Sequence, residues 1–353
     1  MTAVSVHASA AYDVLIEGGL LSALGPRLLS HFGGPRAVML VSDDAVYALH
    51  GPAAEASLAA AGFPTEHFTF PHGEGSKNLS TYARLQQALL QNHFTRQDIV
   101  VALGGGVVGD LAGFAAATYQ RGIPCVQVPT TLLSAVDSSA GGKTAVNLPG
   151  GKNQVGVFCQ PALVLCDTDL LSTLPPEEYK NGCAEVIKCA LLSGDPLYSA
   201  LFAAPVSRQW ERVIAACVEL KRDLVESDEF DTGCRRLLNF GHTVGHAVEA
   251  CSGYTVPHGY AVAAGMAIIT RAACRRGICG ADTLSTLEAL LREYDLPATV
   301  DYSARELAAA ALSDKKRRGD TLPLILPKAV GRCYVENIPI REWELWLRDG
   351  GLL

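Results

Sequence analysis

The sequence has no long uncharged apolar segment, no CxxC pair, no internal repeat and no excess of basic residues. Its most apolar stretch, Ile99–Tyr119, contains Asp110 and several glycines, which does not suit a lipid-facing helix. The first residues lack the charged and apolar regions of a signal peptide, so we expect a cytoplasmic protein without a membrane partner. A net charge of -7 argues against a general nucleic-acid binder.

The 11 cysteines are scattered singly along the chain. Most lie in apolar runs, as Cys166, Cys189, Cys217 and Cys274 do. Disulfide frameworks and structural zinc sites usually show paired spacings, and none is present. We therefore expect most of these cysteines to be small core residues in a reducing cytoplasm.

The chain contains two halves with different periodicity. Its 353 residues, 49% of them hydrophobic and 18% charged, are enough for two globular domains. Up to about residue 175, short β-rich runs alternate with helical stretches such as Leu79–Asn92, and beyond it strand signals nearly vanish. We predict an α/β dinucleotide-binding domain over residues 1–175 and an all-α domain over residues 176–353.

Predicted elements in the first half place polar residues at strand ends. The buried parallel strands are predicted at Ala37–Ser42, Ile99–Leu103, Cys125–Val128 and Leu163–Cys166. Ligands of an open parallel sheet bind at the carboxyl ends of its strands, which is where Asp43, Gly104 and the run Pro129-Thr130-Thr131 fall. In the second half, helices are predicted at Glu177–Leu192, Trp210–Glu226, Arg236–Cys251, Tyr260–Arg276 and Leu284–Glu293.

The run GGGVVGD, residues 104–110, follows a predicted strand and opens a helix. Glycines there allow a tight turn and let a pyrophosphate approach backbone N–H groups. About twenty residues later, where a ribose-binding carboxylate is usual, the chain has Thr130 and Thr131. The candidate ribose carboxylates are upstream, Asp43 and Asp44, so we predict a dinucleotide site with its parts in a different order.

Two further glycine loops carry lysines. Gly141-Gly142-Lys143-Thr144 resembles the end of a P-loop, but Asp137 replaces the first required glycine. Gly150-Gly151-Lys152-Asn153 lacks the terminal Ser/Thr as well. ATP binding is therefore rejected, and what remains is two lysines suited to holding an anionic group.

A third set of residues could bind a metal. His242 and His246 lie four apart on one predicted helix face, and His258 follows Pro257. Glu185, on an earlier helix, could complete a site with an open coordination position, as in catalytic zinc centres. Spacing alone does not choose among the histidines, and Lys188 could equally be the helical ion-pair partner of Glu185.

These motifs resemble the 3-dehydroquinate synthase family over nearly the whole chain. The resemblance lies in GGGVVGDLAGFAAATYQRGIPCVQVPTTLLSAVDSSAGGKTAVNLPGGKNQVGVFCQP, then in GCAEVIK, RRLLNFGHTVGHAVE and the HG of Val256–Gly259, in the same order. It implies a homodimer with an N-terminal NAD domain and a C-terminal helical metal domain. The implied substrate is 3-deoxy-D-arabino-heptulosonate 7-phosphate.

The resemblance also implies residue roles. Glu185, His242 and His258 would bind zinc or cobalt, which leaves His246 for the substrate phosphate. NAD would contact Asp43, Glu74, Lys77, Gly105, Gly106, Asp110, Thr130, Thr131, Thr173 and Leu174. Catalysis would involve Asp137, Lys188, Lys221, Asp231 and His246. The substrate would meet Lys143, Lys152, Asn153, Arg235, Asn239 and one of Lys315 and Lys316, while Arg121 would reach the phosphate of the neighbouring subunit.

The implied reaction joins these parts. NAD⁺ transiently oxidises a substrate alcohol, the metal acts as a Lewis acid, phosphate is eliminated, the hydride returns, and an internal aldol reaction closes the ring. One position departs from the family pattern, because Asp231 stands where many members carry Glu. A local adjustment is the expected consequence.

Two other activities fit parts of this pattern. Related sugar-phosphate cyclases make inosose or valiolone products with a similar NAD and metal core. Metal-dependent polyol dehydrogenases also bind NAD and zinc or iron, but have no need for Lys152, Asn153, Asn239 and Arg121. A non-catalytic NAD-binding scaffold is disfavoured because every expected ligand residue is present.

Overall fold

A computed structural model describes residues 1–313 and 320–353 of the chain. The chain divides into two compact units. The first contains Met1–Pro175 and Lys221–Glu229, and the second contains Pro176–Leu220 and Phe230–Leu353. The short segment Lys221–Glu229, which the sequence analysis assigns to the second domain, therefore groups with the first unit.

The first unit is an α/β structure. Its elements are β1 Thr2–His7, β2 Ala11–Glu17, α1 Leu24–Phe32, β3 Val38–Asp43, α2 Asp44–Ala60, β4 Thr65–Phe70, α3 Leu79–Gln91, β5 Ile99–Gly104, α4 Gly106–Thr118, β6 Cys125–Pro129, β7 Lys143–Leu148, β8 Gly151–Phe158 and β9 Leu163–Asp167. The main sheet has the order β1-β2-β9-β6-β5-β3-β4 and is parallel except for the β1–β2 pair.

Helices cover both faces of this sheet. For this reason the strands β3, β5, β6 and β9 are buried along their whole length. One apolar cluster joins the sheet to α3 and α4, through residues such as Leu85 and Leu111. The other joins it to α1 and α2, through Leu28 and Leu58. Continuous apolar strands such as IVVAL fit this three-layer arrangement, since both of their faces are covered.

The four predicted strands are confirmed, each extended or shifted by about one residue. The structure also confirms that Asp43, Gly104 and Pro129 end β3, β5 and β6. The chain adds β4 on one side of β3 and then crosses over to add β5 on the other side. The strand order therefore reverses direction at the neighbouring strands β3 and β5. Such switch points create a crevice at the carboxyl ends of the strands.

The second unit is helical. Its elements are α5 Pro176–Ser193, α6 Leu197–Ala203, α7 Trp210–Ser227 (whose last residues belong to the first unit), α8 His242–Cys251, α9 His258–Arg275, α10 Ala281–Glu293, α11 Ala304–Ser313, β10 Thr321–Ala329, β11 Arg332–Pro339 and α12 Trp343–Asp349. The predicted helical domain is thus confirmed, with one addition: β10 and β11 form an antiparallel hairpin that the sequence analysis does not predict.

One predicted helix is wrong in its extent. Arg236–Cys251 is not continuous: a 3-10 segment covers Cys234–Asn239, and α8 begins only at His242. Gly241 between them has a φ of 80°, in the left-handed region that favours glycine. A Cβ there would lie 2.7 Å from the carbonyl oxygen of Val262, so the break also requires a residue without a side chain.

Glycines let three helices of this unit pack backbone to backbone. The central helix α9 is buried around most of its circumference and contacts both α5 and α8. A Cβ on Gly265 would lie 2.1 Å from the carbonyl oxygen of Gly241, and one on Gly259 would lie 2.0 Å from that of Asn181. Any larger residue at these two positions would push the helices apart.

Cysteine burial matches the expectation in part. Cys125, Cys166, Cys183, Cys189 and Cys217 are buried. Cys274 is only partly buried, because it lies in the last turn of α9 and not inside an apolar helix face. Among the described residues, no helix combines the length and the apolar character needed to span a bilayer.

Candidate functional site

The glycine turn between β5 and α4 is shaped for close approach of a ligand. Gly105 caps α4 without a side chain, so the first N–H groups of the helix are not covered by a capping residue. A Cβ on Gly105 would lie 3.1 Å from Thr131 Cγ2, and one on Gly106 would lie 3.1 Å from Ser138 Oγ. The turn therefore accepts only glycine readily and presents backbone N–H groups suited to phosphate.

Thr130 and Thr131 follow β6 beside this turn. The Thr130 N–H donates to the Gly104 carbonyl at 3.0 Å. Its hydroxyl oxygen is buried and has no hydrogen-bond partner among the residues that the structure describes. The Thr131 hydroxyl, in contrast, is hydrogen-bonded to the Ser134 hydroxyl at 2.8 Å. A buried hydroxyl without a partner is costly unless a ligand completes it, which fits a nucleotide at this position.

Asp43 and Thr173 have structural partners as well. Asp43 ends β3 and caps α2 by accepting the Val46 N–H at 2.9 Å. Burial raises the pKa of Asp43, and the hydrogen bond from Val46 partly offsets this. The Thr173 hydroxyl donates to the Leu170 carbonyl at 2.7 Å and lies 3.2 Å from His50 Nε2. Thr173 is the last residue of a 3-10 segment, Thr168–Thr173, and Leu174 is its C-cap.

A buried lysine joins three separate segments of the first unit. Lys77, only 4% exposed, contacts Asp110 Oδ2 of α4 at 2.5 Å and Asn153 Oδ1 of β8 at 2.6 Å. Burial raises the pKa of Asp110, and the Lys77 ammonium counteracts this shift. Glu74 accepts from Asn147 at 2.7 Å, and Asn147 accepts the Asn153 N–H at 2.8 Å. Four predicted site residues, Glu74, Lys77, Asp110 and Asn153, thus form one connected network.

The two lysine-bearing glycine loops belong to one hairpin: the first precedes β7, and the second forms the turn into β8. Lys143 begins β7 and Lys152 lies in β8, and the two strands pair antiparallel. Asp137 lies in a π-helical segment just before them and forms an ion pair with Lys221, whose ammonium also donates to the Asp137 carbonyl at 2.7 Å. Arg121 is exposed at the end of a 3-10 segment, with a φ of 71°.

In the second unit, one carboxylate and two histidines converge. Glu185 of α5 is fully buried, and its Oε1 lies 3.7 Å from His242 Nε2 and 3.6 Å from His258 Nε2. The three ligand atoms lie within 4.8 Å of one another, close enough to hold one metal ion. Two imidazoles and a carboxylate are a donor set that suits zinc and leaves a position open. The residues present therefore fit a catalytic divalent metal.

The electrostatics of this cluster favour a cation. Burial lowers the pKa of His242 well below its usual value, so the ring is neutral and able to coordinate. Burial also acts to lower the pKa of His258, but hydrogen bonds to Glu185 and Glu249 outweigh it and raise the pKa to about 9. The second oxygen of Glu185 pairs with the buried ammonium of Lys188.

A second set of ligand atoms lies beside the first. His246, Glu249 and His258 also come within 4.8 Å of one another, and the ring of His246 lies 5.5 Å from that of His242. Glu249 was not among the predicted site residues. Its spacing could have found it, because His242, His246 and Glu249 follow the i, i+4, i+7 pattern of one helix face.

The remaining predicted residues are placed as follows. Arg235 is 1% exposed in the 3-10 segment before α8, and Asn239 ends that segment. Asp231 has a φ of 59°, so a left-handed backbone accompanies its departure from the family pattern. Lys315 and Lys316 lie outside the described residues.

Comparisons with known proteins agree on one family. The model for the 3-dehydroquinate synthase N-terminal domain matches residues 67–181, and the C-terminal model matches residues 182–317. A 3-dehydroquinate synthase of Enterococcus faecalis is 43% identical over 348 residues, covering 97% of each chain. One from Pelobacter propionicus is 43% identical over 341 residues, covering 94% of each.

Solved structures of related cyclases have the same fold. A 2-deoxy-scyllo-inosose synthase, complexed with carbaglucose-6-phosphate, NAD⁺ and Co²⁺, superimposes with a TM-score of 0.88 at 27% identity over both whole chains. A 2-epi-5-epi-valiolone synthase from Streptomyces hygroscopicus, with NAD⁺ and Zn²⁺ bound, gives 0.87 at 28% identity over 99% of each chain. An iron-containing alcohol dehydrogenase, at 15% identity and a TM-score of 0.69 over 98% of each chain, is similar in fold alone.

Proposed function

The chain belongs to the 3-dehydroquinate synthase family, and from that premise we propose that it converts 3-deoxy-D-arabino-heptulosonate 7-phosphate into 3-dehydroquinate and inorganic phosphate. The reaction is that of a carbon–oxygen lyase, because the bond to phosphate breaks without hydrolysis and without net oxidation. The observation that carries the proposal is the convergence of Glu185, His242 and His258 on one point.

The cofactors are NAD and a zinc or cobalt ion. NAD⁺ supplies a hydride acceptor that gives its hydride back, and the metal ion supplies a Lewis acid for a substrate hydroxyl. Residues of the first unit hold the nucleotide: Gly105 and Gly106 through backbone N–H groups, Thr130 through its hydroxyl, and Asp43 as the ribose acceptor. The network of Glu74, Lys77 and Asp110 supports the edge of the nucleotide site. Thr131, Thr173 and Leu174 are the remaining proposed NAD contacts.

The acidic substrate requires positive and amide groups. The residues proposed for this role are Lys143, Lys152, Asn153, Lys188, Arg235, Asn239, His246, and Lys221 with its partner Asp137. A buried ammonium or guanidinium stabilises anionic oxygen more strongly than an exposed one, and Lys188, Lys221 and Arg235 are all under 10% exposed. Asp231 is a proposed catalytic residue in addition to these substrate-binding residues.

We further propose that the enzyme works in the cytoplasm as a homodimer. Arg121 supports the second point. It is exposed at the end of a short segment, and the family resemblance assigns it to the phosphate of the neighbouring subunit.

Phosphate release tests this function directly. With heptulosonate phosphate, NAD⁺ and zinc or cobalt, we expect one phosphate per 3-dehydroquinate, many turnovers per NAD⁺ and no net NADH. A chelator should stop the reaction, and added metal should restore it. Two results would contradict the proposal: turnover of glucose 6-phosphate or sedoheptulose 7-phosphate in place of the heptulosonate, which would make the chain another sugar-phosphate cyclase, and accumulation of NADH with glycerol, which would make it a dehydrogenase.

A further inference from the structure

Glu249 is a buried acid to which neither the family resemblance nor the proposed reaction gives a role. It lies on α8, one turn after His246, and is 2% exposed. Its Oε2 lies 3.2 Å from Nδ1 of His258. A carboxylate is seldom buried so completely unless it has a specific partner, and here that partner is a proposed metal ligand.

The contact decides which nitrogen of His258 can bind a metal. An imidazole that binds a metal is neutral and carries one N–H. In His258 the Glu249 carboxylate accepts a hydrogen bond at Nδ1, so the N–H is at Nδ1 and the lone pair is at Nε2. That Nε2 is the atom 3.6 Å from Glu185. His242 has the same arrangement, because its Nδ1 lies 3.2 Å from the Phe240 carbonyl and its Nε2 lies 3.7 Å from Glu185.

We propose that Glu249 is a positioning residue for the metal: it holds His258 as an Nε2 ligand and thereby directs the ion to Glu185 and His242. The inference rests on the metal part of the proposed function. On this proposal His246, Glu249 and His258 are the weaker of the two ligand sets. The Glu249 Oε2 that accepts the hydrogen bond from Nδ1 is not free to bind the ion. Carboxylate acceptors of this kind commonly contribute 10–100-fold to metal affinity.

Metal affinity measured without NAD or substrate tests this role. Competition with a chromogenic chelator should give one Co²⁺ or Zn²⁺ per chain in the wild type. Glu249→Ala should keep that stoichiometry and weaken binding by about 10–100-fold. Glu249→Gln, which can still accept through its amide oxygen, should lose less. The visible spectrum of bound Co²⁺ should change in Glu249→Ala, because one imidazole is no longer held.

His246→Ala is the matched control, since His246 belongs only to the competing set. We expect its metal affinity to stay within about threefold of the wild type. Equal losses in His246→Ala and Glu249→Ala, or a second ion lost in both, would make Glu249 a ligand and overturn the proposal. So would wild-type affinity and spectrum in both Glu249 variants. A failure of phosphate release with normal metal binding would count against the proposed reaction and not against this role.

A second inference rests on a cysteine pair at the opposite end of α9 from His258. After α9 the chain turns back. The Gly277 N–H donates to the Cys274 carbonyl at 3.0 Å, and the Ile278 N–H donates to the Ala273 carbonyl at 2.9 Å. Gly277 supplies the left-handed φ of 71° that this turn needs. The turn brings the thiols of Cys274 and Cys279 to 2.7 Å from each other, and both residues are partly exposed.

We infer that Cys274 and Cys279 are a site of reversible disulfide formation by a low-molecular-weight disulfide. The Cys274 thiolate attacks one sulfur of the small disulfide, and the other half leaves as a thiol. Cys279 then attacks the Cys274 sulfur and releases the second half. Two protein thiols are oxidised, the small disulfide is reduced to two thiols, and the two protons pass to those thiols. Burial, followed by the hydrogen bond with Cys274, raises the pKa of Cys279 to about 12 and so lowers the fraction of Cys279 that is thiolate.

Peptide mapping tests the pair cleanly, because Arg275 and Arg276 lie between the two cysteines. After oxidised glutathione and trypsin, we expect the peptides Ala272–Arg275 and Gly277–Arg292 to be joined and to separate on reduction. Cys279→Ser should instead leave a stable glutathione adduct on Cys274, and Cys333→Ser should behave as the wild type. Unlinked wild-type peptides, whether free or carrying glutathione, would overturn the inference.

Discussion

Glu185→Gln is expected to lower kcat by about 10³-fold or more and to remove stoichiometric metal binding. A Lewis acid contributes several kcal/mol to stabilising a developing alkoxide, and Glu185 is the only carboxylate of its ligand set. The same change breaks the ion pair between Glu185 and the buried ammonium of Lys188. Breaking such a pair costs about 3–5 kcal/mol, so the melting temperature should fall as well.

Two measurements separate the catalytic effect from the structural one. Metal content and circular dichroism are taken on the same preparation as the rate of phosphate release. Glu178→Gln, an exposed substitution on the same helix α5, should leave metal content and rate within about twofold of the wild type. A Glu185→Gln protein that binds one metal ion per chain and turns over normally would refute the assigned ligand set.

The second large effect is expected for Lys77→Met. The ammonium of Lys77 joins Asp110 on α4 to Asn153 on β8, and it is almost fully buried. Its removal leaves a buried carboxylate uncompensated, which should cost about 3–5 kcal/mol of stability. Since α4 begins at the glycine turn, we also expect NAD binding to weaken by about 100-fold. Isothermal titration with NAD⁺ and thermal unfolding measure the two effects.

The stability loss in Lys77→Met should depend on pH. Burial raises the pKa of Asp110 in the folded protein, and Lys77 is the strongest of the groups that oppose that rise. Protonated Asp110 carries no charge to bury, so the deficit should be small below the ordinary carboxyl pKa of 3.8, grow as pH rises above it, and level off above the raised pKa of the folded protein. Lys328→Met, at an exposed lysine, should show no such trend. A deficit that is constant from acid to alkaline pH would exclude Asp110 as its cause.

Much of the first unit could be predicted because its signals are local. Strands such as Ile99–Gly104 are continuous apolar runs, and the residues that end them, Asp43 and Gly104, follow from reading where each run stops. The hairpin β7–β8 could not be read in this way. β7 alternates between buried and less buried positions, but β8 is mostly exposed and its burial pattern does not alternate, so no period of two marks the second strand.

In the second unit, the failures come from contacts distant in sequence. The break before His242 depends on Met266 and Val262, which occupy the space that a side chain at Gly241 would need. Glu249 acquires its role only when His258 is brought beside it. Spacing identified the histidines as a possible metal set, but the preference for His258 over His246 came from resemblance, and both sets remain geometrically possible.

The glycine contacts among α5, α8 and α9 have a thermodynamic consequence. Gly259 and Gly265 bring main chain against main chain, so the positions of Glu185, His242 and His258 are set by backbone packing. Small metal-folded domains spend their metal-binding free energy on ordering the chain. Here the positions of the helices follow from main-chain contacts at glycines, so calorimetry of metal binding should register proton release and coordination with almost no heat-capacity change from folding.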